Sequence, residues 1–189
     1  FGRRLVGADR RVDAVVAAAV AARRGGGDDA EPEPHMRGVV GAGPAGLAAA
    51  TTLAERGYEV HLFESAAEIG GQFNLAKRIP GKEEFHETLR YFARRLERTG
   101  VALHLNTRAN AEQLISERFD EVLLATGVAA RNPRIAGQDT PGVIGYVDAI
   151  LQRQPVGRRV AIVGAGGIGF DVAEFLVHDA AHPSTALDL

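Results

Sequence analysis

The chain has 189 residues, 46% of them hydrophobic and 24% charged, a globular composition with room for one good core or two small ones. Its 22 Lys and Arg stand against 24 Asp and Glu, so no basic field favours nucleic acid and no acidic excess favours disorder. Cysteine and tryptophan are absent, which removes disulfides, thiolate nucleophiles, cysteine-held zinc and thiolate-held iron–sulfur clusters, and argues against base stacking.

No apolar run reaches the roughly 18 residues of a membrane span, and the expectation is a cytoplasmic protein without membrane or nucleic-acid partners. Residues 1–36 read as a low-complexity leader. Arg10-Arg11 precedes an Ala/Val run from Ala14 to Ala22, and Gly25–Gly27 and Glu31–Pro34 look like linker. A basic start before a short apolar run also resembles a signal peptide, against the plainer reading of a solvated leader. The chain opens on Phe1 and stops at Leu189 inside an unfinished pattern, so a fragment is expected. Loss of closing strands would then bring poor solubility and weak cofactor retention.

From Val39 the texture changes. Val39-Val40 runs into Gly41-Ala42-Gly43-Pro44-Ala45-Gly46, an Ala/Leu-rich helix from Leu47 to Arg56, and a Gly57 stop. Tyr58–Phe63 alternates as a strand and ends at Glu64. This is a strand, glycine turn, helix and strand in series. A second helix spans about Glu83 to Thr99, with Phe85, Leu89, Phe92 and Leu96 on one stripe, and Gly100 ends it. Val101–Leu105 and Phe119–Ala125 follow as strands, the latter closing on Thr126-Gly127. Ala129–Pro141 is a Pro/Gly-containing crossing, and Tyr146–Leu151 a short helix. Arg159–Val163 reads as a buried strand leading into Gly164-Ala165-Gly166-Gly167-Ile168-Gly169 and a helix through Val177. The two glycine turns lie about 120 residues apart, too far for a solenoid repeat and apt for two dinucleotide-binding domains.

Each glycine has its own task. Gly41 permits the sharp exit from the strand, Gly43 lets the backbone approach a pyrophosphate, and Gly46 lets the helix pack closely. The helix start offers unpaired N–H groups and a partial positive charge, and Pro44 near that start sacrifices no hydrogen bond. Glu64, about 20 residues on, is placed to accept from an adenosine ribose diol. A 2′-phosphate a few Å from its carboxylate would meet repulsion of about 4 kcal/mol per unit charge before screening, so FAD or NAD fits this first site better than NADP. The second turn repeats the mechanics with Gly164, Gly166 and Gly169, Gly167 adding flexibility. Asp188 matches the spacing of Glu64, but His178–Thr185 before it reads as loop, leaving NAD against NADP open.

The stretch from Val39 to Leu189 resembles the flavin- and nicotinamide-binding half of bacterial-type 2,4-dienoyl-CoA reductase, in the old-yellow-enzyme-related group that includes trimethylamine dehydrogenase. The segments that carry the likeness are Val39–Leu47, Glu68-Ile69-Gly70-Gly71-Gln72-Phe73-Asn74, Ala76–Phe85 and Gly164–Asp171. The resemblance implies that NADPH reduces FAD and that an iron–sulfur cluster and FMN, in parts this cysteine-free chain does not supply, pass electrons to an unsaturated fatty acyl-CoA. It implies that Gly41, Gly43, Pro44, Ala45 and Gly46 hold the FAD pyrophosphate and Glu64 the ribose. Gly71 and Gln72 would line the flavin side, with Lys77 nearby, and Ala109 would meet adenine through its backbone. Thr126-Gly127 would close on FAD, and Gly164, Gly166, Gly167, Ile168 and Gly169 would cradle the nicotinamide nucleotide. Gly38 departs from the pattern, which has an apolar strand residue there.

The expected fold is therefore α/β: a Rossmann-like doubly wound FAD-binding portion over 37–128, a crossing segment at 129–156, and the start of a second, NAD(P)-binding domain at 157–189. No side chain of this chain is assigned to catalysis. A nucleotide-binding module without turnover and a glutamate-synthase-like small subunit are the competing readings. His178 and His182 could share a metal on a helix, though the loop reading of that segment opposes it. Arg90, Arg94, Arg95 and Arg98 share their helix with Glu83, Glu84, Glu87 and Glu97, which reads as a solvated face.

Overall fold

The computed structural model describes residues 35–178. The leader up to Pro34, the signal-like run, His182 and Asp188 lie outside the described residues, and the expected leader boundary at residue 36 is one residue late, since Met36 already opens the first strand. The chain divides into two units, the first running to Gly71 and resuming over Arg90–Gly127, the second comprising Gln72–Leu89 and the chain from Val128.

The first unit is built on a four-stranded, wholly parallel sheet. Its strands are β1 (Met36–Val40), β2 (Glu59–Phe63), β3 (Ala102–His104) and β4 (Glu121–Leu124), in the spatial order β3-β2-β1-β4. That is the order of one half of a doubly wound dinucleotide-binding sheet, and the winding reverses at β1, the position beyond whose strand ends folds of this winding bind their ligands. Helix α1 (Pro44–Glu55) connects β1 to β2 and packs on both, burying Leu47, Ala50 and Thr51. Buried Thr51 satisfies its hydroxyl by donating to the Leu47 carbonyl, 2.8 Å. Gly57, at φ +89°, terminates the helix as its sequence position predicts.

Register places Val39, Leu62, Leu103 and Leu123 on one face of the sheet, and Val40, Phe63, His104 and Leu124 on the other. The second face carries a core of Phe63, Leu114 and Phe119, edged by Met36, Val40, Ala109 and Val122. Leu114 comes from α4 (Ala111–Ser116), a helix the reading of hydrophobic period passes over. Its signal is a cap: the Asn110 side chain accepts from the Gln113 amide at 2.9 Å, and an Asn followed three residues later by Gln is a helix-start signature.

The same core explains Gly38. A Cβ there would stand 3.2 Å from Cδ2 of Phe119 and 3.4 Å from Cγ2 of Val122. The Phe119 ring occupies the space that an apolar side chain on β1 would fill.

The long helix α3 (Glu84–Thr99) matches its expected span, with Leu89 and Leu96 buried and Phe85 and Phe92 half-buried on the predicted stripe. Its arginines behave as a solvated face. Arg95 forks onto the carboxylate of Glu55 and rests on the Tyr91 ring, and Arg94 lies 4.0 Å from Glu97. Glu55 is held below the ordinary carboxylate range by its hydrogen bond to Arg95, and Arg95 is raised in turn.

In the second unit, α2 (Phe73–Ala76), α5 (Tyr146–Ile150) and α6 (Gly167–Val177) surround a core of Ile79, Ile150 and Val172, edged by Leu75, Tyr146, Phe175 and Leu176. Here one expectation fails. Arg159–Val163 forms no strand, and Val160, Ile162 and Val163 are 49%, 40% and 82% exposed. An apolar run has the composition of a buried parallel strand, but a strand exists only through a ladder with a neighbour. No described strand lies beside this one.

Candidate nucleotide-binding site

The first glycine turn occupies the end of β1, where the winding reverses. Gly41 has φ +102°, and a Cβ on it would overlap the Ala125 carbonyl oxygen. It must be glycine on both counts. Its N–H donates to Phe63 O and the Ala125 N–H donates to Val40 O, both 2.8 Å, so the turn is pinned to β2 and to the chain leaving β4. At Gly46 a Cβ would collide with the Gly41 carbonyl oxygen, which is why the first turn of α1 can press on the loop that feeds it.

Gly43 differs in kind. Its backbone is extended (φ −74°, ψ −178°), a conformation open to most residues, and a Cβ there would meet nothing within 4 Å. The protein itself gives no steric reason for glycine at 43. A ligand that must approach this backbone does. The helix that follows starts at Pro44 with no side-chain cap and no acidic residue in its first turn. The Ala45 and Gly46 amides are left without helical acceptors by the geometry of any helix start, and the dipole adds partial positive charge. This donor set fits a diphosphate.

A second loop closes on the turn. Gly70 (φ +124°) donates its N–H to Ala42 O at 2.8 Å, and Gly71 (φ +51°) sits so close that its Cβ would be 3.1 Å from Cα of Gly43. Gly70 and Ala42 are contributors that motif reading leaves unassigned. For Gly70 a signal exists, since the Gly70-Gly71 pair marks a turn with positive φ.

Glu64 stands at the end of β2, half-buried, and its carboxylate is partly committed. Oε2 accepts the Ala42 N–H at 2.8 Å, while Oε1 accepts the Ala66 N–H at 2.8 Å and the Ser65 hydroxyl at 3.2 Å. A carboxylate has about four acceptor positions, so one remains on Oε2 and a second follows if Ser65 rotates. Two hydroxyls of a ribose diol could be met in this way. Backbone bonds hold the residue: its N–H donates to His104 O and its carbonyl accepts from the Thr107 N–H.

Thr126 and Gly127 are exposed beyond β4, with Cα of Thr126 packed on Gly41. Ala109 turns its side chain into the Phe63–Leu114–Phe119 core, leaving its backbone as the part available to a ligand. The first unit therefore brings together Gly41, Gly43, Pro44, Ala45, Gly46, Glu64, Gly71, Thr126 and Gly127. Gln72 and Lys77 belong to the second unit, at the two ends of α2.

The second turn copies the first. Gly164 has φ +120° where Gly41 has +102°, and Gly166 is extended and uncapped like Gly43. A Cβ on Gly169 would collide with the Gly164 carbonyl oxygen as one on Gly46 would with that of Gly41. Gly167 opens α6 and Ile168 is 53% exposed. Unlike Gly41, Gly164 has nothing near its would-be Cβ, as expected without a neighbouring strand. His178 is exposed at the end of α6, and no metal-binding group of three or more His, Cys, Asp or Glu occurs among the described residues. None of the described helices is long and apolar enough to cross a membrane.

Comparison with known proteins decides the family. Residues 38–186 match the pyridine nucleotide-disulphide oxidoreductase family. The chain belongs to that family, whose members bind FAD and NAD(P). It is 35% identical over 138 residues to the bilirubin reductase of Mediterraneibacter gnavus, covering 73% of this chain and 22% of that protein. To the small chain of glutamate synthase [NADPH] from Azospirillum brasilense it is 28% identical over 165 residues, covering 76% and 34%. Among solved structures it resembles 2-naphthoyl-CoA reductase in complex with 2-naphthoyl-CoA, with a TM-score of 0.73, 32% identity, and coverage of 77% of this chain and 22% of that one. The chain thus spans about a fifth to a third of the length of these relatives.

Proposed function

We propose that this chain is the nucleotide-handling module of an NAD(P)H-dependent flavin oxidoreductase. In this reading the first unit holds FAD and the second glycine turn holds the nicotinamide nucleotide. The observation that carries it is the pair of matched turns, each with an uncapped helix start and an extended glycine whose would-be Cβ points into open space. When bound, FAD supplies a two-electron acceptor for the hydride of the nicotinamide.

The chain's own residues bind and orient. The Ala45 and Gly46 amides receive the FAD diphosphate, Glu64 the ribose hydroxyls, the Ala109 backbone the adenine, and Gly71, Thr126 and Gly127 the remainder. Gly164, Gly166, Gly167, Ile168 and Gly169 receive the second diphosphate. No acid–base side chain is needed for a hydride step that positioning alone promotes.

For the electrons' destination, we favour an unsaturated acyl-CoA, as in NADPH-dependent 2,4-dienoyl-CoA reductase. The resemblance of the GGQFN and IPGKEEF segments supports this, as does the structural likeness to a reductase solved with an acyl-CoA. The test is anaerobic addition of NADPH, and separately NADH, to the FAD-loaded chain while following flavin absorbance at about 450 nm. Bleaching by either nucleotide is expected. Nucleotide binding without bleaching would instead mark a module with no turnover.

A further inference from the structure

Within the second unit, one ion pair links the segment before α3 to the helix of the second glycine turn. Lys82 Nζ donates to both carboxylate oxygens of Asp171 at 2.7 Å, with the two side chains 38% and 31% exposed. Asp171 lies four residues past the first residue of α6, about 6 Å along the helix axis and so inside a Debye length of the helix start. Of the two acidic residues on α6, Asp171 and Glu174, it is the nearer to the turn.

A carboxylate there has the wrong sign for a diphosphate site. Its charge is favourable to the dipole itself but offsets the positive potential that the helix start offers a ligand, and it repels the incoming phosphates. Helix α6 does not need the pair for its placement, because Val172, Phe175 and Leu176 pack it onto Ile79, Ile150, Leu75 and Tyr146. The pair's distinct contribution is electrostatic.

We infer that Lys82 is a positioning residue for the nicotinamide nucleotide, acting through Asp171: it neutralises that carboxylate and keeps the second glycine turn receptive to a diphosphate. The inference rests on the reading of that turn as the nicotinamide-nucleotide site.

The experiment titrates NADPH and NADH into the FAD-supplemented full chain at low and high ionic strength, for the parent, Lys82→Ala, Asp171→Asn and the double variant, with melting temperatures recorded alongside. Lys82→Ala is expected to weaken nicotinamide-nucleotide binding roughly three- to tenfold at low salt, with the gap narrowing at high salt. Asp171→Asn should bind at least as tightly as the parent, and the double variant should recover parental affinity although the pair is gone. If Lys82→Ala binds like the parent, or the double variant stays as weak as the single one, the inference is overturned and the pair is only a fastener. Should the parent itself bind no nicotinamide nucleotide while FAD still binds, the reading of the second turn fails, and the inference with it.

Discussion

Gly43 and Gly46 sit three residues apart in one motif, yet the structure gives them opposite duties. At Gly46 a methyl group collides with the Gly41 carbonyl, so Gly46→Ala is expected to destabilise the fold by about 1–3 kcal/mol, read as a lowered melting temperature. At Gly43 the methyl group meets open space, so Gly43→Ala should leave the melt within about 0.5 kcal/mol of the parent while FAD affinity falls roughly tenfold. Equal destabilisation by both would show that Gly43 is structural and that no ligand approaches it. The spacing of the glycines was legible in the sequence because each requirement is local to one turn. The double duty of Glu64 was not. Its acceptance of the Ala42 N–H depends on β1 and β2 lying side by side, a fact of topology that no window of sequence contains.

Among the elements, those defined by local signals emerged from sequence close to their observed bounds. The apolar stripe of α3 and the Gly57 and Gly100 stops are of this kind. Arg159–Val163 failed because a strand is a relation between segments, and four apolar residues cannot show whether a neighbour is present. Gly38 looked anomalous for a related reason: the ring that fills its space comes from Phe119, far along the chain. Gly38→Val is therefore expected to cost about 1–3 kcal/mol by overpacking, and adding Phe119→Leu should recover part of that loss. Additive losses in the double variant would contradict this account of the core.

The tie between α1 and α3 makes a pH prediction. Because Glu55 is depressed in the folded state by Arg95, its contribution is present above the ordinary carboxylate range and is lost as pH falls through the lowered value. Glu55→Gln should lower the melting temperature slightly at neutral pH and leave it unchanged in strong acid. The pair is exposed, so the effect should also shrink in high salt.

At the scale of the whole molecule, the chain carries two glycine turns of one construction in two separate units, within a family that binds two different dinucleotides. Its matched part covers only 22% and 34% of two of its relatives, so the substrate end of the reaction is a matter for the rest of such proteins. On the proposed reading, the uncapped start of α1 and the carboxylate of Glu64 together hold the ADP half of FAD. Titration calorimetry of FAD and of ADP into the parent, Glu64→Gln and Glu64→Ala tests it most directly. Glu64→Gln keeps an acceptor for the Ala42 N–H and so separates loss of the turn from loss of the charge. The account predicts saturable one-to-one binding by the parent, with affinity for both ligands falling roughly tenfold or more in each variant. Absence of binding by the parent, or affinity unchanged by either substitution, would contradict it.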